Sequence, residues 1–464
     1  MSNPQQTEFK IQSITLFSDR YQDAGLPGLD LSRAFAGIDI YESLDKPYLT
    51  ADVILNDDTN WFESYDILGG ENVEITIISM RDGGAVSTQA IQKLFYVHYV
   101  SVQQRVNEYQ QIVMLHLIED VAYISNLQNV NKFYKGKGNE IIEKICNEFL
   151  DKKLNVTNPT KDNQLYNLIV PNLDPLQTIN WITSSLTTDN GFPFYVFSTF
   201  AKKDLYLRDL ESLMQDEPIN PDYSYRWSPA RISQPDASIA RRVIATMKVG
   251  KSEDLFNLIK EGYIGSKYSY LNLAAPDAET ESQFDYDIVK DTLKPALETT
   301  NIFPVDQKNP AYSPNFKYDG TPFNEMKSRH ISILGGSHAF RLTNLPTDGS
   351  KPQFPLAIGE AYDIADYKLF VSSQAIDNLL KKTPITIAIN GIDFIDGNDH
   401  YTIGNRINCE FAKTNDRATE DSKTSKLDTK LSGNYLIYRA RHIIKPEKYD
   451  LSLTMVKLGS KAGS

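Results

Sequence analysis

Apolar and polar residues alternate through much of the first quarter of the chain. Leu49, Ala51, Val53 and Leu55 alternate with Thr50, Asp52 and Asn56, Ile54 being the one apolar exception, and Val73, Ile75 and Ile77 alternate with Glu74 and Thr76. A period of two turns one face of a strand to a core and the other to water. Two longer runs follow at 93–103 and 109–117, joined by the polar stretch QRVNE. That spacing predicts a long antiparallel hairpin, and several short strands with polar turns predict a small barrel or sandwich.

The period changes after Asp120. In GNEIIEKICNEFLDKK, Asn139 reads as an N-cap, and Ile141, Ile142, Ile145, Phe149 and Leu150 fall on one helical face. Asp174-Pro175 opens a second helix, a cap residue followed by proline at the first helical position. Leu176, Ile179, Ile182 and Leu186 form its apolar stripe, and GFPFYVFSTFAKKDLYLRDL then predicts two strands around a turn at 201–204. SEDLFNLIKEG predicts a helix stopped by Gly262. Residues 274–329 are polar and Pro-rich and read as an irregular insertion, 363–382 read as a helix, and ITIAING resumes the strands.

The closing segment repeats the opening one. GENVEITI at 70–77 and GNRINCEF at 404–411 each join a glycine turn to an alternating strand, and a hairpin follows each. Tyr96 and Tyr99 match Tyr435 and Tyr438 at an offset of 339, and Tyr109 matches Tyr449 once one residue is inserted in the turn. In the last strand Tyr449, Leu451, Leu453 and Met455 face one way and Asp450, Ser452 and Thr454 the other. A slip of one residue there would expose the whole apolar set. The expected fold class is therefore α+β. Two similar antiparallel β-barrels, at 1–120 and 332–464, flank an α+β region at 121–232 and a helical segment with an irregular insertion at 233–331. A mobile loop is expected at 412–432, because TNDRATEDSKTSKLDTK mixes charges and offers one large apolar residue, Leu427.

Length and composition narrow the function. The 464 residues suggest about three domains, and 41% hydrophobic with 23% charged residues describes a globular chain. The 26 Tyr and 21 Phe suit sheets and interfaces. A net charge of −12 argues against specific nucleic-acid binding, which needs Lys and Arg against phosphate, but does not bar DNA from passing an acidic wall. Cys146 and Cys409 alone make neither a disulfide framework nor a zinc spacing, and read as reduced. The polar start MSNPQQTEFK lacks the apolar core of a signal peptide, and no membrane segment is expected, since no run approaches the ~18 apolar residues that span a bilayer.

No motif carries convincing chemistry. His98 and His116 share the first hairpin, but a metal needs three or four ligands. GKG at 136–138 lacks the rest of a phosphate-binding loop. GGSH at 335–338 sets a Ser beside a His, yet adjacent residues do not make a triad and no G-x-S-x-G is present. The acidic residues form no recognisable catalytic pair, and Asp57, Asp58, Glu63 and Asp66 read as solvated surface. The expectation is no catalytic, cofactor-binding or metal residue, and no cofactor.

Three stretches resemble the baseplate central hub protein of contractile-tailed bacteriophages, whose architecture recurs in the hub part of type VI secretion spike proteins. They are ADVILNDDTNWFESYDILGGENVEITI; YKGKGNEIIEKICNEFL with PLQTINWITSSL and FPFYVFSTF; and SGNYLIYRARHIIKPEKYDLSLTMVKLG. Residues 274–329 match least. The resemblance implies a non-enzymatic subunit with two tail-tube-like barrels per chain. A homotrimer then presents six barrels in a ring that joins a sixfold tail tube to a threefold central spike and lets DNA pass. The implied partners are the central spike protein and a tail tube or tube-initiator protein, with tape measure and baseplate wedge proteins as further contacts. The implied location is the virion tail baseplate, assembled in the host cytoplasm. The hub hairpin stands at the end of the sequence, which puts the spike on a separate protein. Two other readings compete: a tail-associated peptidoglycan hydrolase, which needs an active-site cleft, and a host-binding or tail-fibre adaptor module, which needs an exposed aromatic patch. Neither calls for two similar barrels.

Overall fold

The computed structural model of the chain describes residues 9–18, 20, 28–79, 90–157, 165–227, 242–250, 260, 265–271, 280–285, 317–322, 329–334, 364–381, 384–394, 402–412, 427–428 and 431–460. One sheet of 13 strands organises them. Its path runs from Thr246–Val249 through Ile385–Asn390, Lys448–Ser460, Gly433–Lys445, Phe35–Ser43, Thr50–Asp57, Gln110–Glu119, Ala90–Asn107, Asn72–Ser79 and Phe9–Phe17 to Leu29–Asp30. Arg406–Phe411 branches from Gly433–Lys445 and carries Tyr225–Trp227 beside it in parallel.

The opening and closing segments are therefore joined, not separate. Phe35–Ser43 pairs antiparallel with Gly433–Lys445, from Arg439 opposite Ser43 to Ile444 opposite Ile38. No barrel closes among the described strands. The sheet instead coils, so that Ile14 and Leu16 near one end of its path share a core with Ile38, Ile40, Val53, Ile75, Phe95 and Leu115. A strand edge that could have closed its own barrel is covered by the other half of the chain, which satisfies the same backbone groups.

Four strands in each half share order and register. Thr50–Asp57, Gln110–Glu119, Ala90–Asn107 and Asn72–Ser79 are successive neighbours, as are Ile385–Asn390, Lys448–Ser460, Gly433–Lys445 and Arg406–Phe411. Gly70 donates its N–H to the Val97 carbonyl at 2.8 Å, and Gly404 donates to Ile437 at 2.9 Å. The Val97 and Ile437 amides donate back to the carbonyls of Glu71 and Asn405 at 2.8 and 2.9 Å. Both glycines have left-handed backbones, φ +85° and +79°, which only glycine adopts without cost. A residue bulges directly after each acceptor, His98 in one half and Tyr438 in the other. Ala51 faces Leu117 as Ile385 faces Met455, so Ala51 to Ile385 and Gly70 to Gly404 are the same shift of 334 positions.

The glycine match in the sequence thus falls in register and the tyrosine match does not. With Val97 equivalent to Ile437, Tyr435 takes the place of Phe95, and Tyr96 that of Leu436. Tyr435 and Tyr449 are buried, whereas Tyr99 and Tyr109 are 51% and 82% exposed. Aromatic residues suit either face of a strand, so a tyrosine pattern tolerates a slip that a hydrogen-bonded left-handed glycine does not.

The middle region packs its own core from Ile141, Ile142, Ile145, Tyr166, Ile179, Ile182 and Leu207. Helix Gly138–Ile145 starts before Asn139, with Lys137 as its cap residue; the Glu140 carboxylate accepts the Lys137 amide at 3.4 Å, and the Asn139 side chain accepts from Glu140 N–H. Helix Pro175–Thr183 begins as the sequence predicts, with Asp174 accepting the Gln177 amide at 2.9 Å. The same oxygen accepts the Ser125 hydroxyl at 2.7 Å. Asp174→Ala is expected to lower the stability of this region by about 1–2 kcal/mol, read from urea unfolding. Asp174→Asn, which keeps an acceptor there, should lose less than half of that.

Strands Phe194–Ser198 and Leu205–Asp209 pair antiparallel, and helix Ile364–Leu380 precedes Ile385–Asn390, all as predicted. The helix expected at 252–262 lies outside the described residues, apart from helical Lys260, and GGSH lies wholly outside them. Most of the 412–432 loop also lies outside them. The insertion at 274–329 is not irregular throughout. Thr280–Asp285 pairs with Gly265–Leu271, which pairs in parallel with Arg329–Leu334. TESQFD has one large apolar residue and no apolar alternation in its sequence, so periodicity gives no sign of this strand.

Candidate functional site: the seam and the outer sheet face

Two buried polar joints tie the first half of the sheet to the rest of the chain, one to the closing half and the middle region, the other to the middle region alone. At the first, Glu42 comes from Phe35–Ser43 and His442 from the facing strand Gly433–Lys445. His442 Nε2 lies 2.9 Å from Glu42 Oε1, and its Nδ1 lies 2.6 Å from the Tyr449 hydroxyl. The Phe200 amide, from the middle region, donates to the same Glu42 oxygen at 2.7 Å. His442 and Glu42 are buried, and burial, followed by the Glu42 charge, pushes the Tyr449 hydroxyl well above its ordinary pKa.

The second joint centres on Glu119 at the end of the first hairpin. Its Oε1 accepts from Lys93 Nζ at 2.6 Å and from Ser198 Oγ at 2.9 Å, and its Oε2 accepts the Leu49 amide at 2.9 Å. Ser198 closes the strand Phe194–Ser198, and Phe200 lies two residues beyond it. One turn of the middle region therefore touches both joints.

The outward face of the sheet above the first joint holds an open groove of about 570 Å³, lined in part by Tyr41, Lys46, Tyr48, Arg439 and Arg441. Arg441 pairs with Asp39 at 2.7 Å and Arg439 with Asp45 at 2.9 Å, each across the seam. Both guanidinium groups already hold a carboxylate, so the groove is not a ready phosphate site.

Further along the same face, strand register sets Asp52 opposite His116. His116 Nδ1 lies 2.5 Å from Asp52 Oδ1, and Nε2 lies 2.6 Å from Ser101 Oγ. Tyr41 donates its hydroxyl to the other Asp52 oxygen at 3.1 Å; burial, then the Asp52 charge, pushes that hydroxyl up to about 12. The Tyr99 ring stacks on His116 at 4.4 Å between centroids. The order Ser–His–Asp is that of a hydrolytic triad, but it lies on a sheet face without an enclosing cleft.

No family profile and no curated relative match the sequence. Solved structures match the fold. A tail protein from Neisseria meningitidis MC58 aligns over 96% of this chain and 96% of its own, at 10% identity and a TM-score of 0.52. The 43 kDa tail protein of prophage MuSo2 from Shewanella oneidensis aligns over 96% of this chain and 98% of its own, at 9% identity and a TM-score of 0.50. The chain has a phage tail-protein fold. An Escherichia coli component of the type VI secretion system, described as structurally similar to bacteriophage T4 tail proteins, matches more weakly, at 8% identity and a TM-score of 0.39 over 98% of this chain and 79% of its own. The first two neighbours are tail proteins by name, and the sequence resemblance also named a tail component.

Within the tail-protein fold, the residues weighed from sequence fall as follows. His98 is exposed and meets Tyr99 edge-on, while Tyr99, not His98, stands opposite His116. Among the described residues, no group of three or more His, Cys, Asp or Glu is placed to hold a metal ion, and no helix is long and apolar enough to cross a membrane. Gly136 and Lys137 end the strand Phe133–Lys137, and Gly138 starts the next helix. Cys146 and Cys409 are free and buried, and burial pushes the Cys146 thiol up to about 12. Asp57, read from sequence as solvated, is buried, and accepts the amides of Thr59, Trp61 and Phe62 at 3.1 Å each. Glu42, Glu119, Lys93 and His442 were missed, although each stands on the apolar phase of its strand.

Lys457 gives the tail-protein fold a pH dependence. Burial lowers its pKa from 10.5 to about 8, against the opposing pull of Asp428. Between those values the unfolded chain binds more protons than the folded one, so this group makes stability rise with pH from about 8 to 10.5. Lys457→Met is expected to flatten that rise and to add about 1 kcal/mol at pH 7, a figure reduced for solvent screening of a half-buried group. Urea unfolding of both proteins at pH 7 and pH 10 checks it; a gap unchanged between the two pH values contradicts it.

Proposed function

We propose that this chain is a structural subunit of a phage tail baseplate hub. Three copies close into a ring in which six similar sheet units alternate. One side of the ring meets the sixfold tail tube or its initiator, the other the threefold central spike, with tape measure and wedge proteins as further contacts. The observation that supports this reading is the repeated four-strand unit, with its paired glycine elbows, inside a tail-protein fold that covers 96% of the chain. Two like units per chain give a trimer six near-equivalent faces, and closed head-to-tail contacts make rings. With a net charge of −12 the wall of the opening is neutral to acidic, which repels passing DNA and does not hold it. Domain limits at 1–120, 121–232, 233–331 and 332–464 belong to the same proposal, as do the tube-like character of the two end units and a site on the virion tail. Light scattering should give three times 52.5 kDa, and particle images should show a threefold axis with six similar lobes. A monomer at all accessible concentrations contradicts the ring.

The Ser101–His116–Asp52 chain favours a second reading, a tail-associated hydrolase. Such a site needs backbone donors aimed at the oxyanion and a walled pocket for substrate. Here Ser101 is exposed and Tyr99 covers one face of His116. Ser101 is expected to stay unmodified by a fluorophosphonate probe, read by mass spectrometry of the intact chain. Stoichiometric labelling that is lost in His116→Ala would turn the assignment to the hydrolase.

A further inference from the structure

The seam inside one chain is a strand-to-strand contact whose two edges recur, unpaired by any strand, elsewhere among the described residues. The strand Gly433–Lys445 has two stretches along its outer edge. Residues from Gly433 to Leu436 pair with Arg406–Phe411, and those from Arg439 to Ile444 pair with Phe35–Ser43. Its counterpart Ala90–Asn107 repeats the first stretch, pairing with Asn72–Ser79 as far as Tyr96. Beyond Val97 that edge has no strand against it among the described residues.

The strand able to fill this gap stands at the opposite end of the same sheet. Phe35–Ser43 flanks Thr50–Asp57 as Thr246–Val249 flanks Ile385–Asn390. The registers carry over position by position. Ile40 opposite Ala51 corresponds to Val249 opposite Ile385, Asp39 to Lys248, and Ile38 to Met247. Thr246–Val249 ends the sheet path, with no strand on its other edge among the described residues. Its apolar position is also left uncovered: Ile40 is fully buried at the internal seam, whereas its counterpart Val249 is 43% exposed.

We propose that Thr246–Val249 of one copy adds antiparallel to the free edge of Ala90–Asn107 in the next copy, reproducing the internal seam between chains. The register follows from the internal one. His442 opposite Ile40 becomes Gln103 opposite Val249, Ile443 opposite Asp39 becomes Gln104 opposite Lys248, and Ile444 opposite Ile38 becomes Arg105 opposite Met247. Six seams, three within chains and three between them, join the sheets of three copies into one continuous belt. Backbone pairing supplies the affinity and the apolar positions the register, as in strand addition generally. The pairing rests on the three-copy ring, and the occupant is a second copy because both edges belong to this chain and fit each other's register.

The test uses the full chain with Gln104→Cys and Lys248→Cys together, two exposed positions that substitution leaves free to fold. Facing residues in an antiparallel pair lie within disulfide reach. Mild oxidation should give a covalent trimer of the double variant, read on a non-reducing gel, while each single variant stays at chain mass. Gln104→Cys with Thr246→Cys, two positions out of register, should link far less. A trimer by light scattering that forms no disulfide in the double variant, or links equally in the shifted pair, overturns the edge pairing and leaves the ring standing. A monomer by light scattering overturns the ring and the pairing together.

Discussion

Glu42→Ala is expected to lower stability by about 3–5 kcal/mol, the usual cost of removing one partner from a buried polar joint. The substitution takes the acceptor from three buried donors, His442 Nε2 and the Phe200 amide at short range and the Thr199 hydroxyl at 3.4 Å, and each such orphan costs about 1–3 kcal/mol. The effect reaches beyond one strand. Glu42 lies in the strand that ties the first half of the sheet to the second, and its bond to Phe200 ties both to the middle region. Urea unfolding followed by circular dichroism should show an earlier midpoint for the whole transition. Glu42→Gln separates two causes. The two short bonds, from His442 and Phe200, end on Oε1, so the single carbonyl oxygen of glutamine can serve both. A loss of about 1 kcal/mol is expected for it. If glutamine costs as much as alanine, the joint depends on the carboxylate charge and the hydrogen-bond account is wrong.

The local architecture was legible because its signals were backbone signals. Asp174-Pro175 marked a helix start by a side-chain acceptor and a residue without an N–H, and the structure places both as expected. Gly70 and Gly404 marked equivalent elbows because each must adopt a positive φ. The tyrosines misled because neither face of a strand excludes them. Tyr99 and Tyr109 lie in solvent, while Tyr449 fills the space beside Gly391, where an added Cβ would come within 2.4 Å of its ring. The union of the halves could not be read at all. Phe35–Ser43 meets Gly433–Lys445 through backbone groups, and nothing in either segment names its partner across about 400 positions.

The joints were better hidden than absent. Lys93 interrupts an inward row with Ile91, Phe95 and Val97, and Glu119 continues the row of Val113, Leu115 and Leu117. Glu42 follows Ile38 and Ile40, and His442 stands between Ala440 and Ile444. A titratable residue on the apolar phase of a strand has to find a partner, since burying it alone is costly. Two such breaks on neighbouring strands therefore predict a pair. That rule predicts the Lys93–Glu119 pair, whose strands form one hairpin, and marks Glu42 and His442 as breaks without naming them as partners, and alternation read as a tally of apolar positions passes over each of the four.

Lys93→Met is expected to cost about 3–5 kcal/mol, although the apolar side chain suits the core around it, because it strands the Glu119 carboxylate. Both members of the pair are almost fully buried, at 3% and 2% exposure, so the stranded carboxylate is poorly hydrated. Glu119 keeps its bonds from Leu49 and Ser198, and these are what a second change can preserve. Adding Glu119→Gln to Lys93→Met removes the stranded charge while an amide oxygen still accepts from Leu49 or Ser198. The double variant should be more stable than Lys93→Met alone, with a coupling of about 1–3 kcal/mol in the full cycle. Glu119→Gln by itself should be costly for the converse reason, a buried ammonium facing an uncharged amide. Urea midpoints for the wild type, the two single variants and the double variant give the coupling directly. Additive losses would mean that Lys93 and Glu119 stabilise the fold independently, and that the joint holding the first hairpin to the middle region is not an ion pair.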